Sequence, residues 1–512
     1  MKKFAKLLGF DPKNQQTSVK TEIIAGIVTF LAMCYILTVN PNQFFFGGVM
    51  DPISGPTFTP TDNPYWASVF MATAFGAIIG TLLMAFLAKL PLAQAPGMGL
   101  NSLVGSIIGG GVGFFGYNFT FDLGNAMLMV LISGLLFLIL SIVSVKGKSL
   151  RQYIFEGIPA GIRTAIPVGI GLFIAFIGFQ NATFVVDNQY TLVDLIAFSN
   201  LFTGDAALIA LAQNALVCII GLILIAVLSH LKVKGAIILG ILGATLVGIP
   251  FGVTNYEVVL GNTPGISWAF WENFANFFSF GEESVLGVAF TGFDFPEGSI
   301  FTVIMLIISM CMIDMFDTMG TCVGCCSAAG LMNDQGVPLN YDKIMYADSI
   351  ATCTGAMLGT STVTTFVESG AGVAAGGKTG LTAFTTAVMF FLAIFLLPVF
   401  AMIPSAASAS ALIYVGVLMM KGVKNIDFSD IRVAVPAFLA IAIMPLGYSI
   451  TKGIGLAILS YVVISVIAYV IDIIKYAVSK KEDKVKPAWE VSIVTIIVAV
   501  LFVVYFFVPT VL

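Results

Sequence analysis

The sequence has few charged residues and lacks the motifs of several enzyme classes. Only 10% of its 512 residues are charged, its formal net charge is −4, and it contains one histidine, His230. It has no G-x-S-x-G nucleophile motif, so it does not predict an enzyme that uses an activated serine; neither ATP-driven transport nor a bound cofactor is expected. It also has no basic stretch with interleaved aromatic residues, so nucleic acid is not an expected partner.

The seven cysteines do not form a pattern typical of a disulfide framework or of a metal site. Most of them lie in apolar stretches, where a thiol packs as a small hydrophobic side chain. Only Cys322, Cys325 and Cys326 are clustered, and no second cluster or nearby histidine completes four ligands. The sequence therefore predicts packing roles for these cysteines and no metal site.

Hydrophobic residues make up 58% of the chain, and the mean hydropathy is +1.02. This composition is far from that of a soluble domain and indicates an integral membrane protein. Several apolar segments reach the length of about 20 residues that a bilayer crossing needs, and shorter or interrupted ones lie between them. The sequence predicts an all-α polytopic protein whose first transmembrane helix is one run from Ile23 to Phe46. A last apolar run, residues 489–510, either spans the membrane or lies along it.

The distribution of Lys and Arg predicts the orientation in the membrane. The connections at residues 46–65, 109–125, 180–205 and 255–298 contain no Lys or Arg, whereas basic residues gather on the alternate connections, with Lys452 as the exception. Short cytoplasmic loops are enriched in Lys and Arg. We therefore expect a multi-pass protein of the cell membrane with a cytoplasmic N-terminus.

Two segments are interrupted in a way that predicts an internal repeat. Residues 360–367 are rich in β-branched side chains, which favours a short strand over a helix. Gly76–Thr81 is similar to Gly355–Thr360, and each stretch is followed by a broken segment, the first of which covers residues 91–101. An odd number of helices per unit inverts the second copy relative to the first. We therefore expect inverted-repeat transporter architecture, in which the broken segments meet near the bilayer midplane.

Polar residues within these apolar segments are the candidates for binding and proton coupling. Asp314 and Asp317 share one face of a helix at hydrocarbon depth, and one of two carboxyl groups this close is expected to hold a proton. Glu368 lies where the predicted strand becomes a helix, which suits a carboxylate that gains and loses a proton. Asn101, at the matching first-half position, offers a donor and an acceptor to a planar heterocycle. Alternatively, the aspartates only fix helix packing, Glu368 is an N-cap, and Asn101 is structural.

Small residues beside these side chains are expected to support the site through their backbone. Gly97 and Gly99 precede Asn101, and Ser369 and Gly370 follow Glu368. A strand that gives way to a short helix leaves backbone N–H groups free. Such groups are tolerated at membrane depth only beside protein or a water-filled cavity, so the break is a candidate binding site.

Five stretches of the sequence resemble the AzgA-like branch of the nucleobase-cation symporter-2 family, which comprises adenine, guanine and hypoxanthine permeases. They are Thr21–Met33, Ala95–Asn101, Asp314–Thr321, Gly359–Ser369 and Gly376–Leu381. The resemblance implies a uracil-permease-type fold of two inverted seven-helix repeats, with short strands in the interrupted third and tenth segments, and coupling to protons. It also implies that Asn101, Asp314 and Glu368 contact the substrate and that Asp317 takes part in the conformational change.

The same resemblance implies a division into a core and a gate domain, and a homodimer through the gate domain is a further expectation. The expected parts are a cytoplasmic N-terminus at residues 1–22, a core domain at 23–145 and 299–402, a gate domain at 146–298 with an outer loop and 403–475, and a cytoplasmic linker with an extra hydrophobic helix at 476–512.

The sequence thus predicts a proton-coupled importer of purine nucleobases. Glu368 and Asp314 would accept hydrogen bonds from N–H groups of the base, and Asn101 would bind its other edge. The alternative is an anion transporter or exchanger of the same architecture. An anion site would want cations or uncovered helix N-termini, and the acidic residues at 314 and 368 argue against it. The preferred purine and the proton stoichiometry are left open.

Overall fold

The structure is a computed structural model that describes most of the chain. The described residues are 7–10, 17–46, 65–109, 112–114, 117–119, 121–145, 148–188, 190–260, 266–279, 284–333, 337–478, 488–489 and 491–507. The first six residues of the predicted cytoplasmic N-terminus and most of the predicted linker after residue 478 lie outside them.

The described residues are mainly helical, as the sequence predicts. The helices are α1 (Val19–Met33), α2 (Ile36–Phe46), α3 (Trp66–Leu83, extended by a π-helical turn at Met84–Ala88), α4 (Met98–Gly109), α5 (Leu123–Ile142), α6 (Leu150–Gly157), α7 (Ala160–Asn181), α8 (Ala206–His230), α9 (Ala236–Gly248), α10 (Phe270–Phe278), α11 (Ile300–Ala329), α12 (Tyr341–Leu358), α13 (Ser369–Ala374), α14 (Gly380–Ile394), α15 (Leu397–Ala401), α16 (Ser405–Met419), α17 (Ile431–Leu446), α18 (Ile450–Val478) and α19 (Ile493–Phe507). The strands are β1 (Gln94–Pro96), β2 (Val112–Phe114), β3 (Tyr117–Phe119), β4 (Ser144–Val145), β5 (Lys148–Ser149), β6 (Val185–Asn188), β7 (Leu192–Leu195) and β8 (Val363–Thr365).

Eight spans in the described part of the chain are long and apolar enough to cross a membrane, and α9, α14, α17 and α19 are shorter apolar helices. The protein is therefore a multi-pass membrane protein. The predicted first transmembrane helix corresponds to one apolar span, Val19–Phe44, within which the chain turns at Cys34–Tyr35 between α1 and α2. At this turn the N–H groups of Leu37 and Thr38 donate to carbonyl groups three residues back, both at 3.1 Å, which replaces the regular α-helical pattern.

One compact unit, residues 1–138 and 174–415, contains both interrupted segments. Strand β1 pairs antiparallel with β8, with Gln94 opposite Thr365 and Pro96 opposite Val363. The predicted short strands in the two interrupted segments are thus confirmed, and they pair with each other. The half-helix α4 follows β1 after one residue, and α13 follows β8 after a short turn.

The paired strands β1 and β8 are called the strand crossing below. The glycines of the repeated stretches allow two long helices to approach it. A Cβ atom at Gly76 or Gly80 of α3 would lie 3.1 or 2.8 Å from a methyl group of Val363, and one at Gly355 of α12 would lie 2.7 Å from it. Real Cβ atoms rarely approach so closely, so larger residues would push α3 and α12 away from β8. The similarity of Gly76–Thr81 to Gly355–Thr360 therefore has a packing reason.

The other compact unit covers residues 139–173 and 416–512. In it α17 packs against α18, and α18 packs against the last helix, α19. A Cβ atom at Gly455 would lie 2.5 Å from the Phe502 ring, so this glycine permits close packing of α18 and α19. The hydroxyl of Thr495 also donates to the carbonyl of Gly157 at the end of α6. The extra C-terminal helix is therefore well packed, while the division into core and gate domains stays a prediction.

Candidate functional site

Glu368 lies at the N-terminus of α13, directly after the turn that follows β8. It occupies the N-cap position, but its side chain makes no capping hydrogen bond. Its Oε1 atom instead accepts a hydrogen bond of 2.6 Å from the hydroxyl of Tyr35, at the turn between α1 and α2. The Glu368 side chain is 6% exposed. The Glu368 carboxylate therefore bonds to Tyr35 and does not cap its own helix through its side chain.

Asp314 and Asp317 lie one turn apart on α11. Asp314 is buried, and its Oδ2 atom accepts a hydrogen bond of 2.8 Å from the hydroxyl of Thr352 on α12. Its Oδ1 atom is buried without a hydrogen-bond partner among the described residues. Asp317 is half-buried and close enough to both Asp314 and Glu368 to interact with them electrostatically. The structure thus brings the three predicted acidic residues together.

Asn101 lies in the first turn of α4 and connects the two halves of the crossing. Its amide nitrogen donates to the carbonyl of Pro96 at 3.3 Å, and its Oδ1 atom accepts a hydrogen bond from the hydroxyl of Ser361, shortly before β8. An amide nitrogen carries two N–H donors, and the bond to Pro96 uses one of them.

The predicted backbone groups hold the interrupted segments in shape. The N–H groups of Gly97, Ser369 and Gly370 donate to backbone carbonyl groups at 2.9 to 3.1 Å, so these three are occupied and not free. Gly99 lies in the first turn of α4. A Cβ atom at Gly97 would lie 2.6 Å from the Thr364 side chain, so glycine permits the close approach of β1 and β8 there.

The sequence interpretation missed a fourth acid beside the crossing, Asp348 on α12, which is fully buried. Its carboxylate accepts hydrogen bonds from the Gln94 amide at 2.6 Å, the Thr318 hydroxyl at 2.8 Å and the Thr365 hydroxyl at 3.2 Å. These partners belong to β1, α11 and β8. Asp348 lies inside a predicted apolar segment, and an ionisable residue in such a place is by itself a signal. That signal could have found it.

The interpretation also overlooked that Gly372–Thr379 has the spacing of a nucleotide-binding P-loop, G-x-x-x-x-G-K-T. A P-loop joins a strand to a helix, whereas this stretch runs from within α13 to just before α14. The N–H groups of Lys378 and Thr379 donate to the carboxylate of Glu22 on α1, at 3.1 and 3.3 Å. The protein's own carboxylate therefore takes the place that a phosphate would have in a P-loop, and the match does not indicate ATP binding.

The cysteine cluster lies on α11. Cys322, Cys325 and Cys326 are buried free thiols. In the part of the chain that the structure describes, no group of three His, Cys, Asp or Glu side chains could hold a metal ion.

The two interrupted segments pair through their strands, and buried acids surround the pair. This arrangement is typical of a membrane transporter with inverted repeats. A family model named Xan_ur_permease and described as a permease family matches residues 20–456, and the chain belongs to this family. It is therefore a permease and not an enzyme.

Curated relatives match along most of the chain. Guanine/hypoxanthine permease PbuO of Bacillus subtilis (strain 168) is 37% identical over 89% of this chain and 93% of the relative. Adenine permease AdeQ of Escherichia coli (strain K12) is 34% identical over 88% of each chain.

Among solved structures, the transmembrane domain of the cyanobacterium bicarbonate transporter BicA is similar, with a TM-score of 0.56 and 14% identity. The match covers 86% of this chain and 98% of that one. At this identity the likeness shows the fold alone, and it agrees with the predicted two inverted seven-helix repeats.

Proposed function

We propose that this permease imports purine nucleobases across the cell membrane in symport with protons. The observation that carries the proposal is the Oδ1 atom of buried Asp314, which lies beside the strand crossing and has no hydrogen-bond partner in the part of the chain that the structure describes. A buried acceptor without a partner is costly unless a ligand or water supplies the donor. The names of PbuO and AdeQ support a purine as that ligand.

The donors and acceptors around the crossing suit a purine base. Purines carry N–H groups on the ring or on an exocyclic nitrogen, and acceptor nitrogens or oxygens elsewhere on their edges. Asp314 Oδ1 would accept from one N–H group of the base. Glu368 Oε2 would accept from another, and the remaining N–H of Asn101 would donate to the opposite edge.

Proton coupling follows from the number of acids gathered in one buried place. Asp314, Asp317 and Glu368 interact electrostatically, so a full set of negative charges there would be costly. Taking up a proton would neutralise one charge, which makes the loaded site less costly to carry through the closed state. In this proposal Asp317 takes part in the conformational change, the N-terminus is cytoplasmic, and the gate domain forms a homodimer.

The contacts of the acids do not favour an anion transporter. The hydrogen bonds to Asp314 and Glu368 described here come from the hydroxyl groups of Thr352 and Tyr35, not from cations. An anion would face these carboxylates, and the Coulomb energy of like charges would oppose its binding.

Uptake into cells that lack their own purine permeases tests the proposal. We expect uptake of labelled hypoxanthine, guanine or adenine, loss of accumulation when a protonophore is added, and loss of uptake in Asp314→Asn and Glu368→Gln. The exposed acid Asp472 on α18 gives a matched control, since Asp472→Asn should transport normally. Accumulation that survives the protonophore would contradict proton coupling. Uptake of bicarbonate without any purine would contradict the substrate, and competition among purines would identify the preferred base.

A further inference from the structure

Tyr35 touches the starting points of both half-helices. Its hydroxyl donates to Glu368 Oε1 at 2.6 Å, and the same hydroxyl oxygen lies 3.6 Å from the sulfur of Met98, the first residue of α4. A phenol has one proton, and the shorter contact to the carboxylate is the stronger hydrogen bond. The single interruption of the first span is thus placed beside the two interruptions that form the strand crossing.

We propose that Tyr35 is a positioning residue for purine binding: its phenol holds Oε1 of Glu368 and so directs Oε2 toward the base. This rests on the proposed function of the site. The last torsion of a glutamate side chain has a broad minimum, so an untethered carboxylate turns easily. A short charge-assisted hydrogen bond restricts that rotation and leaves the second oxygen as an acceptor in a fixed direction.

A structural role alone would need only the aromatic ring. Tyr35 is 1% exposed, and a phenylalanine would fill the same volume. What phenylalanine cannot supply is the donor to Glu368. Tyr35→Phe therefore separates packing from positioning, because it removes one hydroxyl and keeps the ring.

The test is equilibrium binding of labelled hypoxanthine and adenine to the purified full-length protein. We expect Tyr35→Phe to weaken binding roughly two- to ten-fold, the usual effect of having to immobilise one more side chain on binding. The control is Tyr461→Phe, a buried tyrosine on α18 in the other compact unit, which should bind as the wild type does. Thermal unfolding without ligand checks that both variants are folded.

A double-mutant cycle with Glu368→Asp shows whether Tyr35 acts through Glu368. The shorter carboxylate withdraws from the hydroxyl, so Tyr35→Phe should weaken binding much less in the Glu368→Asp background than in the wild type. Equal binding by Tyr35→Phe and wild type would overturn the positioning role. So would a double variant whose loss of affinity is the product of the losses in Tyr35→Phe and Glu368→Asp. If the wild type binds neither base and does not bind labelled guanine either, the proposed function is wrong and the role of Tyr35 falls with it. The wild-type measurement therefore distinguishes the two failures.

Discussion

Asp314 and Asp348 are equally buried but differ in how fully the protein pairs their carboxylates. Asp348 accepts from three donors, whereas Asp314 has one donor on Oδ2 and none on Oδ1 among the described residues. Burial therefore does not distinguish a structural acid from one that is available to a ligand. The number of unfilled acceptor positions does, because a carboxylate that the protein has saturated has little left to offer.

Asp348→Ala should have the largest effect, on folding. The change removes the acceptor that joins β1, β8 and α11, and leaves the Gln94 amide and two hydroxyls buried without it. At about 1–3 kcal/mol for each buried polar group left unpaired, the sum approaches the whole net stability of a typical domain. We expect little monodisperse protein after solubilisation, measured by size-exclusion chromatography.

An exchange of the two partners provides the control for this prediction. Gln94→Glu alone sets two carboxylates against each other, whereas in Asp348→Asn the amide oxygen can still accept from Gln94. The double variant restores a donor opposite an acceptor and should recover more folded protein than Gln94→Glu alone. Wild-type recovery of Asp348→Ala would show that Asp348 does not hold the crossing together.

Asp314→Asn should leave the fold intact and remove transport. The asparagine oxygen can still accept from Thr352, so the contact within the protein is kept, but the charged acceptor for a ligand N–H group is lost. Uptake of purine should fall at least roughly ten- to hundred-fold while the amount of folded protein stays constant. Normal uptake by Asp314→Asn would place the substrate elsewhere.

The sequence predicts the crossing itself better than the network around it. The β-branched run at 360–367 and the proline-containing stretch at 91–101 mark the two interruptions because local composition decides between strand and helix. Asp348 by itself could have been noticed as an ionisable residue in an apolar segment. Its contact with Gln94 could not, since that contact joins residues 254 positions apart. The sequence does not indicate a role for Tyr35, because the turn in the first span falls within an apolar run. Contacts set by tertiary packing are the part that one sequence does not show.

Glu22 is a second carboxylate whose oxygens the protein pairs with several donors, and it lies outside the crossing. Glu22→Gln tests whether such a fully paired acid has a structural role there too. Its oxygens accept from two backbone N–H groups before α14 and from the Thr382 hydroxyl at 2.5 Å. An amide keeps one acceptor but turns a donor toward donors, so we expect stability to fall by about 1–2 kcal/mol. Thermal unfolding measures this, with the exposed Glu257→Gln as control. The folded fraction should bind purine with wild-type affinity, and a loss of affinity would contradict a purely structural role.

Two threonine substitutions should have the smallest effects. They compare the role of Asp314 in binding with the role of Asp348 in stability. Thr352→Val removes a hydroxyl that contacts Asp314 and the Val363 carbonyl. Thr318→Val makes nearly the same change of shape but removes a hydroxyl that contacts Asp348, the Thr364 hydroxyl and the Thr365 N–H. The first should cost about 1 kcal/mol and the second about 1–2 kcal/mol. If Asp314 belongs to the binding site and Asp348 to the framework, Thr352→Val should reduce purine affinity several-fold, whereas Thr318→Val should lower the unfolding temperature and leave affinity unchanged. If both variants change affinity and unfolding temperature to a similar extent, the two acids form one unit. The contact between the Thr318 and Thr364 hydroxyls, next to the strands, would then couple Asp348 to the binding site.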